Sequence, residues 1–194
     1  MITISALSVY CGSRFGDHPA YRAVVEELGT LLAARGIRLV YGGGDIGLMG
    51  VLADAVLAGG GEVTGVIPEF LVEHGVEKRD VTDLIVVESM HARKTRMFDL
   101  ADGCVVLPGG LGTLDEAIEI ITWKQLRLHD KPVVVVNIDG FWEPFMALVE
   151  AVIAGGFAHP AVRDLFTMVD GIDQILPSLE AAPDLNPEVL TSHL

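Results

Sequence analysis

The stretch Pro132-Val133-Val134-Val135-Val136-Asn137-Ile138 decides the fold. A strand with one wet face alternates apolar and polar side chains, whereas four consecutive valines put apolar groups on both faces. Such a strand needs cover above and below. Short apolar runs recur at 4–10, 37–41, 62–67, 84–87 and 104–107. The segments between them carry helical signals: helices are expected at 19–35, 47–58, 90–101, 114–128 and 141–154. Pro19 opens the first of these and Gly36 closes it, the arrangement favoured at helix ends. A polar connection containing His and Glu runs from 68 to 83, and a weak strand at 167–169 precedes a short last helix. Strands alternating with helices, and buried on both sides, make the chain α/β: a doubly wound parallel sheet with helices on both faces. We expect one domain over residues 1–180. The tail at 181–194 is either loose or packed on a partner subunit.

A chain of 194 residues suits a single substantial core. Thirteen Lys and Arg against 27 Asp and Glu leave a formal charge of -14. That excess repels nucleic-acid backbones and anionic membranes, so neither is expected as a partner. A small phosphorylated ligand remains compatible if the few cations are concentrated where it sits. The two cysteines, Cys11 and Cys104, lie in or beside apolar runs and are expected to be buried and reduced. Residues 1–13 lack a basic leader and run straight into a strand, so no signal peptide is expected. No uncharged apolar run approaches the roughly 18 residues of a membrane span. These features point to the cytoplasm.

The unusual sequence lies in the loops that follow strands, where doubly wound sheets bind ligands. They are Cys11-Gly12-Ser13, then Gly42-Gly43-Gly44-Asp45-Ile46-Gly47-Leu48-Met49-Gly50, then Pro108-Gly109-Gly110-Leu111-Gly112-Thr113-Leu114-Asp115-Glu116. Glycines let backbone N–H groups approach an anion, and a helix start aims unpaired donors at it. The third loop combines both. Residues 42–47 also match G-x-G-x-x-G, with Glu69 near the distance of a ribose carboxylate. The same glycines equally serve a tight turn and close helix packing. Thr113 and Glu116 fit a capping box. Yet Asp115 beside Glu116 sets two carboxylates at the mouth of an anion loop, where glycosidic cleavage would use one.

Cations come from Ser89-Met90-His91-Ala92-Arg93-Lys94-Thr95-Arg96. With Ser89 as N-cap, Arg93 and Lys94 fall early in a helix, where its dipole disfavours positive charge. Either an anion draws them there or they form a solvated face paired with carboxylates. His91 reads as a local hydrogen-bonding residue rather than a catalyst. The histidines show no metal-ligand spacing, and no metal is expected.

Gly42-Gly43-Gly44-x-x-Gly47-Leu48-Met49-Gly50, Met90-His91-x-Arg93-Lys94 and Pro108-Gly109-Gly110-x-Gly112-Thr113-x-x-Glu116 together resemble the Lonely Guy (LOG) family. The likeness extends from Val9 to about Val169 and includes Ile121-Thr122-Trp123 and Lys131-Pro132. The resemblance implies a Rossmann-like fold, a homodimer with sites near the subunit interface, and no metal or organic cofactor. It implies hydrolysis of the N-glycosidic bond of purine nucleoside 5′-monophosphates. The substrates would be cytokinin-type N6-substituted adenosine nucleotides or AMP, giving free base and ribose 5-phosphate. Arg93 and Glu116 match the catalytic pair. Lys94, Gly109, Gly110, Leu111, Gly112, Thr113 and Thr122 match nucleotide-contacting positions, and Gly12, Ser13, Gly44 and Met49 are expected to line the pocket. The connection 69–83 departs from the plant pattern, so base selectivity is left open. The rival reading is a non-catalytic nucleotide or molybdenum-cofactor carrier, which needs the anion loops but neither Arg93 nor Glu116. A nicotinamide dehydrogenase rests on residues 42–47 alone.

Overall fold

Seven parallel strands form one sheet, in the order β4-β3-β2-β1-β5-β6-β7, in the computed structural model, which describes residues 3–182. The strands are β1 (Ala6–Tyr10), β2 (Arg38–Tyr41), β3 (Val63–Pro68), β4 (Asp83–Val87), β5 (Gly103–Val106), β6 (Val133–Val136) and β7 (Thr167–Val169). The helices between them are α1 (Pro19–Arg35), α2 (Gly47–Ala58), α3 (Glu69–Glu73), α4 (Met90–Asp99), α5 (Leu111–Gln125) and α6 (Glu143–Ala154), with α7 (Ile175–Glu180) closing the described chain.

The valines of β6 show why the sheet is covered twice. Val134 and Val136 join one core with Val25 and Leu28 of α1 and Leu52 of α2. Val133 and Val135 join the opposite core with Met97 of α4, Ile120 of α5 and Phe145 of α6. Each fully buried valine contributes roughly 1.5–3 kcal/mol, so neither face of the strand is left bare. No helix of the described residues is long and apolar enough to cross a membrane.

The chain lays its first four strands outward from β1 and then returns to place β5 on β1's other side. At that reversal the connections after β1 and β5 leave in opposite directions, and a crevice opens at the strands' carboxyl ends. It positions everything described next.

Several boundaries differ from the expected ones. α5 begins at Leu111 rather than 114, because Gly110 caps it with backbone alone and Gly112 is tolerated in its exposed first turn. β6 stops at Val136: Asn137 accepts a 2.7 Å hydrogen bond from the Trp142 N–H and turns the chain through Asp139, which has φ 51°. α6 therefore starts at Glu143. The polar connection after β3 holds α3 and a bridge pairing Glu77 with Gly44. α7 buries Ile175, Leu176 and Leu179. Beyond Ala182, the expected tail lies outside the described residues.

Candidate active site

Two glycine-rich turns open helices at the crevice, with different outcomes. Gly110, at φ -96° and ψ -157°, caps α5 and offers no side chain to it. The first-turn amides of a helix have no intrahelical partner, and Gly110, Gly112 and Thr113 line the crevice. Thr113 packs its Oγ1 where a Cβ on Gly109 would stand, which is why residue 109 has none. Thr113 thus lies inside the helix, and the capping-box reading of Thr113 and Glu116 is incorrect. The start of α2 is closed by protein. Leu48 N–H donates to the Gly12 carbonyl at 3.1 Å, and Gly47 lies flat against the Ser13 backbone. Residues 42–47 form a packing joint. Glu69 is exposed at the start of α3. Within that turn the Asp45 N–H is also taken, by the Val76 carbonyl at 2.9 Å.

Arg93 and Glu116 meet at the bottom of the open turn. Ser89 Oγ accepts from Ala92 N–H at 3.1 Å and starts α4, which delivers Arg93 one turn later. Its Nε donates to the Val66 carbonyl at 3.2 Å, and its guanidinium rests on the bare α-carbon of Gly42. Nη2 lies 3.7 Å from Glu116 Oε1, an ion pair too long to be a hydrogen bond. Both residues are more than nine-tenths buried. Burial pushes the Glu116 carboxyl up to about 7; Arg93 pulls it down and Asp115 adds to the rise. An acid balanced near neutrality can take or give a proton at physiological pH. The pair faces a cavity of about 180 Å³ whose apolar wall includes Met49, Met90 and Met97.

Of the residues singled out in the sequence, Ser13, Met49, Arg93, Gly110, Leu111, Gly112, Thr113 and Glu116 line this cavity. Gly12 and Gly109 line an adjoining hollow, and Gly44 lies behind Met49. Lys94 is elsewhere: its Nζ binds Asp115 at 3.0 Å and Glu119 at 2.9 Å, tying α4 to α5. Only one of the two adjacent carboxylates therefore faces inward. Thr122 is exposed beside an apolar groove between α5 and α6, its Oγ1 donating to the Ile118 carbonyl at 2.7 Å. His91 is exposed on α4 and accepts through its backbone carbonyl from Thr95. Cys11 and Cys104 are buried and free, and burial pushes both thiols up, Cys104 to about 12. The sequence reading quoted Met90 in a motif but gave neither it nor Met97 a place in the pocket, although their spacing about Arg93 marks one helical face. It also missed the Val66 carbonyl, a backbone atom with no sequence signal, and Tyr21 and Phe141 in the adjoining hollow.

A parallel sheet whose strand order reverses beside an open helix start defines an α/β protein of the Rossmann type. Within that class the chain belongs to the Lonely Guy family. The family described as "Possible lysine decarboxylase" matches residues 49–179. The chain is 45% identical over 172 residues to the probable cytokinin riboside 5′-monophosphate phosphoribohydrolase LOGL9 of Oryza sativa subsp. japonica, spanning 89% of this chain and 76% of that one. It is 40% identical over 174 residues to cytokinin riboside 5′-monophosphate phosphoribohydrolase LOG1 of Arabidopsis thaliana, spanning 90% and 82%. Among solved structures, the molybdenum cofactor binding protein of Rippkaea orientalis superposes with a TM-score of 0.69 at 18% identity, covering 93% of this chain and 98% of that one. The carrier protein of Chlamydomonas reinhardtii gives 0.68 at 20% identity, covering 92% and 96%. At these identities the likeness is one of fold alone. The family's description does not suit Lys94: burial opposes its charge, but the hydrogen bonds it donates to Glu119 and Asp115 outweigh that and hold it as an ammonium. An amine kept protonated is a poor partner for a carbonyl.

Proposed function

We propose that the chain hydrolyses the N-glycosidic bond of purine nucleoside 5′-monophosphates, AMP or its cytokinin-type N6-substituted forms, releasing free base and ribose 5-phosphate. The observation that carries this reading is the buried Arg93–Glu116 pair one turn below the open amides of α5. The 5′-phosphate sits on the N–H groups of residues 110–113, a remote anchor that positions the sugar. Ionised Glu116 takes a proton from water, whose oxygen bonds to C1′ as the C1′–N bond breaks. The electron pair leaves with the base, which takes up a proton. Arg93 favours the ionised carboxylate and keeps it aimed at the sugar. Ser13 and Met49 complete the near wall, with Gly12, Gly44 and Gly109 supporting the loops behind them.

Residues 1–180 act as one catalytic unit, with 181–194 appended. The protein works in the cytoplasm as a homodimer. Support for the dimer comes from the family and from the apolar groove bearing Thr122, Ile118 and Leu148. On this reading, Lys94 and Thr122 act at the subunit interface. Incubation with AMP, N6-prenyl-AMP, GMP and CMP, followed by chromatography of free bases, tests the proposal. Purine release is expected; nucleotides bound but returned intact would support a carrier instead.

A further inference from the structure

The crevice has a second compartment, which on the hydrolase reading a nucleoside monophosphate does not need. It is a hollow of about 330 Å³ on the α1 side of the sheet, and it shares Ser13 and Gly110 with the cavity of Arg93 and Glu116. The start of α5 stands where the two meet. A phosphate seated there, with its sugar toward Glu116, directs its remaining oxygens into the hollow. The wall of the hollow is aromatic: the Tyr21 and Phe141 rings meet edge to face at 5.4 Å, and Phe15 lines the rim. Gly16, at φ 69°, lies directly on Tyr21, where a side chain would strike the ring. Arg14, an exposed cationic residue, lines the same hollow beyond the helix start. Aromatic walls accept a planar ring, and a guanidinium accepts a phosphate.

We propose that the crevice also takes dinucleoside pyrophosphates, with one nucleoside facing Glu116 and the base of the other against Tyr21 and Phe141. One phosphate occupies the α5 amides and the second faces Arg14. The proposal rests on the phosphate seat of the hydrolase reading. In the half facing Glu116, the C1′–N bond breaks and a water oxygen bonds to C1′. One water proton passes to Glu116, and the leaving base keeps the electron pair and takes up a proton. The pyrophosphate stays intact, so the product is a dinucleotide lacking one base.

Diadenosine 5′,5′-diphosphate, ADP-ribose and AMP separate the contributions, because ADP-ribose carries the second phosphate and sugar without the second ring. Adenine release from the diadenosine compound is expected at a KM at least about fivefold below that of ADP-ribose, the lower end of what one stacked base contributes. Phe141→Ala and, at an exposed position, Phe15→Ala should reduce that advantage while leaving AMP turnover unchanged. AMP cleavage without cleavage of, or competition by, the diadenosine compound overturns the proposal, as does an advantage that survives both substitutions. If AMP itself is not cleaved, the hydrolase reading fails. Equilibrium binding by intrinsic fluorescence then decides this proposal alone: tighter diadenosine binding that is lost in Phe141→Ala supports it, and equal binding of all three ligands sinks it.

Discussion

Glu116 pays for its position in stability. The folded chain holds its proton with a pKa of about 7, against 4.5 for an unburied glutamate. Folding therefore favours the protonated form, and the cost of ionising it grows as pH rises from about 4.5 through 7 and is complete above that. Glu116→Gln removes this cost. Denaturant melts at pH 8 should show the variant more stable by about 1–3 kcal/mol, with the gap closing by pH 4.5. Its base release should fall roughly 100- to 10,000-fold with nucleotide binding largely kept; unchanged turnover would remove Glu116 from the mechanism. Since both water activation and cation stabilisation need the carboxylate, kcat/KM should fall about tenfold per unit below pH 7. Arg93→Ala should move that limb to higher pH as well as weaken binding, because Arg93 is the charge that draws the Glu116 pKa down.

On the proposed reading the start of α5 is the element that seats the phosphate, and Gly110 leaves it open. A Cβ at Gly110 meets nothing within 4 Å, so a side chain fits there. Aspartate at that position would cap the helix and place a negative charge on the anion seat. Gly110→Asp should melt no lower than the parent and gain up to about 1 kcal/mol, yet raise KM for AMP at least about tenfold. A thermal melt beside a substrate titration checks both halves, and an unaltered KM would move the phosphate elsewhere. The limits of α1 and α2 were legible because local chemistry sets them: Pro19 begins α1 and Gly36, at φ 64°, ends it. The start of α5 was not, since glycines read as helix breakers until one knows that the cap is backbone alone. Likewise Thr113 followed by Glu116 spells a cap in sequence, and only the position of Gly110 shows otherwise. The motif did mark the right loop. What it lacked were contacts over long separations, such as Arg93 to the Val66 carbonyl, 27 residues away.

Across the whole molecule, a net charge of -14 is offset at a few places. Lys78 is one such place: its buried Nζ binds Asp54 at 2.8 Å and Asp45 and Asp80 at 3.0 Å each. Its N–H also donates to the Gly43 carbonyl at 2.9 Å, so it fastens the connection after β3 to the turn beneath Arg93. Asp80 lies two residues away, but Asp45 and Asp54 belong to other segments, and no local pattern announced them. Lys78→Met leaves those carboxylates facing one another and should cost about 1–3 kcal/mol, read from urea unfolding at low salt. For the parent protein, raising ionic strength from about 10 to 150 mM screens the surface excess. The melting temperature should rise while AMP binding weakens, since the same salt competes at the helix start; a melting temperature that falls would mean local pairs outweigh the overall repulsion.

The guanidinium of Arg93 lies where any side chain on residue 42 would have to stand. The two positions are therefore coupled. A side chain at residue 42 must turn the arginine's tip away from the Val66 carbonyl, whereas a lineage that loses the arginine first is free to fill the gap. Descendants with a larger residue at position 42 should therefore show the arginine lost or turned aside.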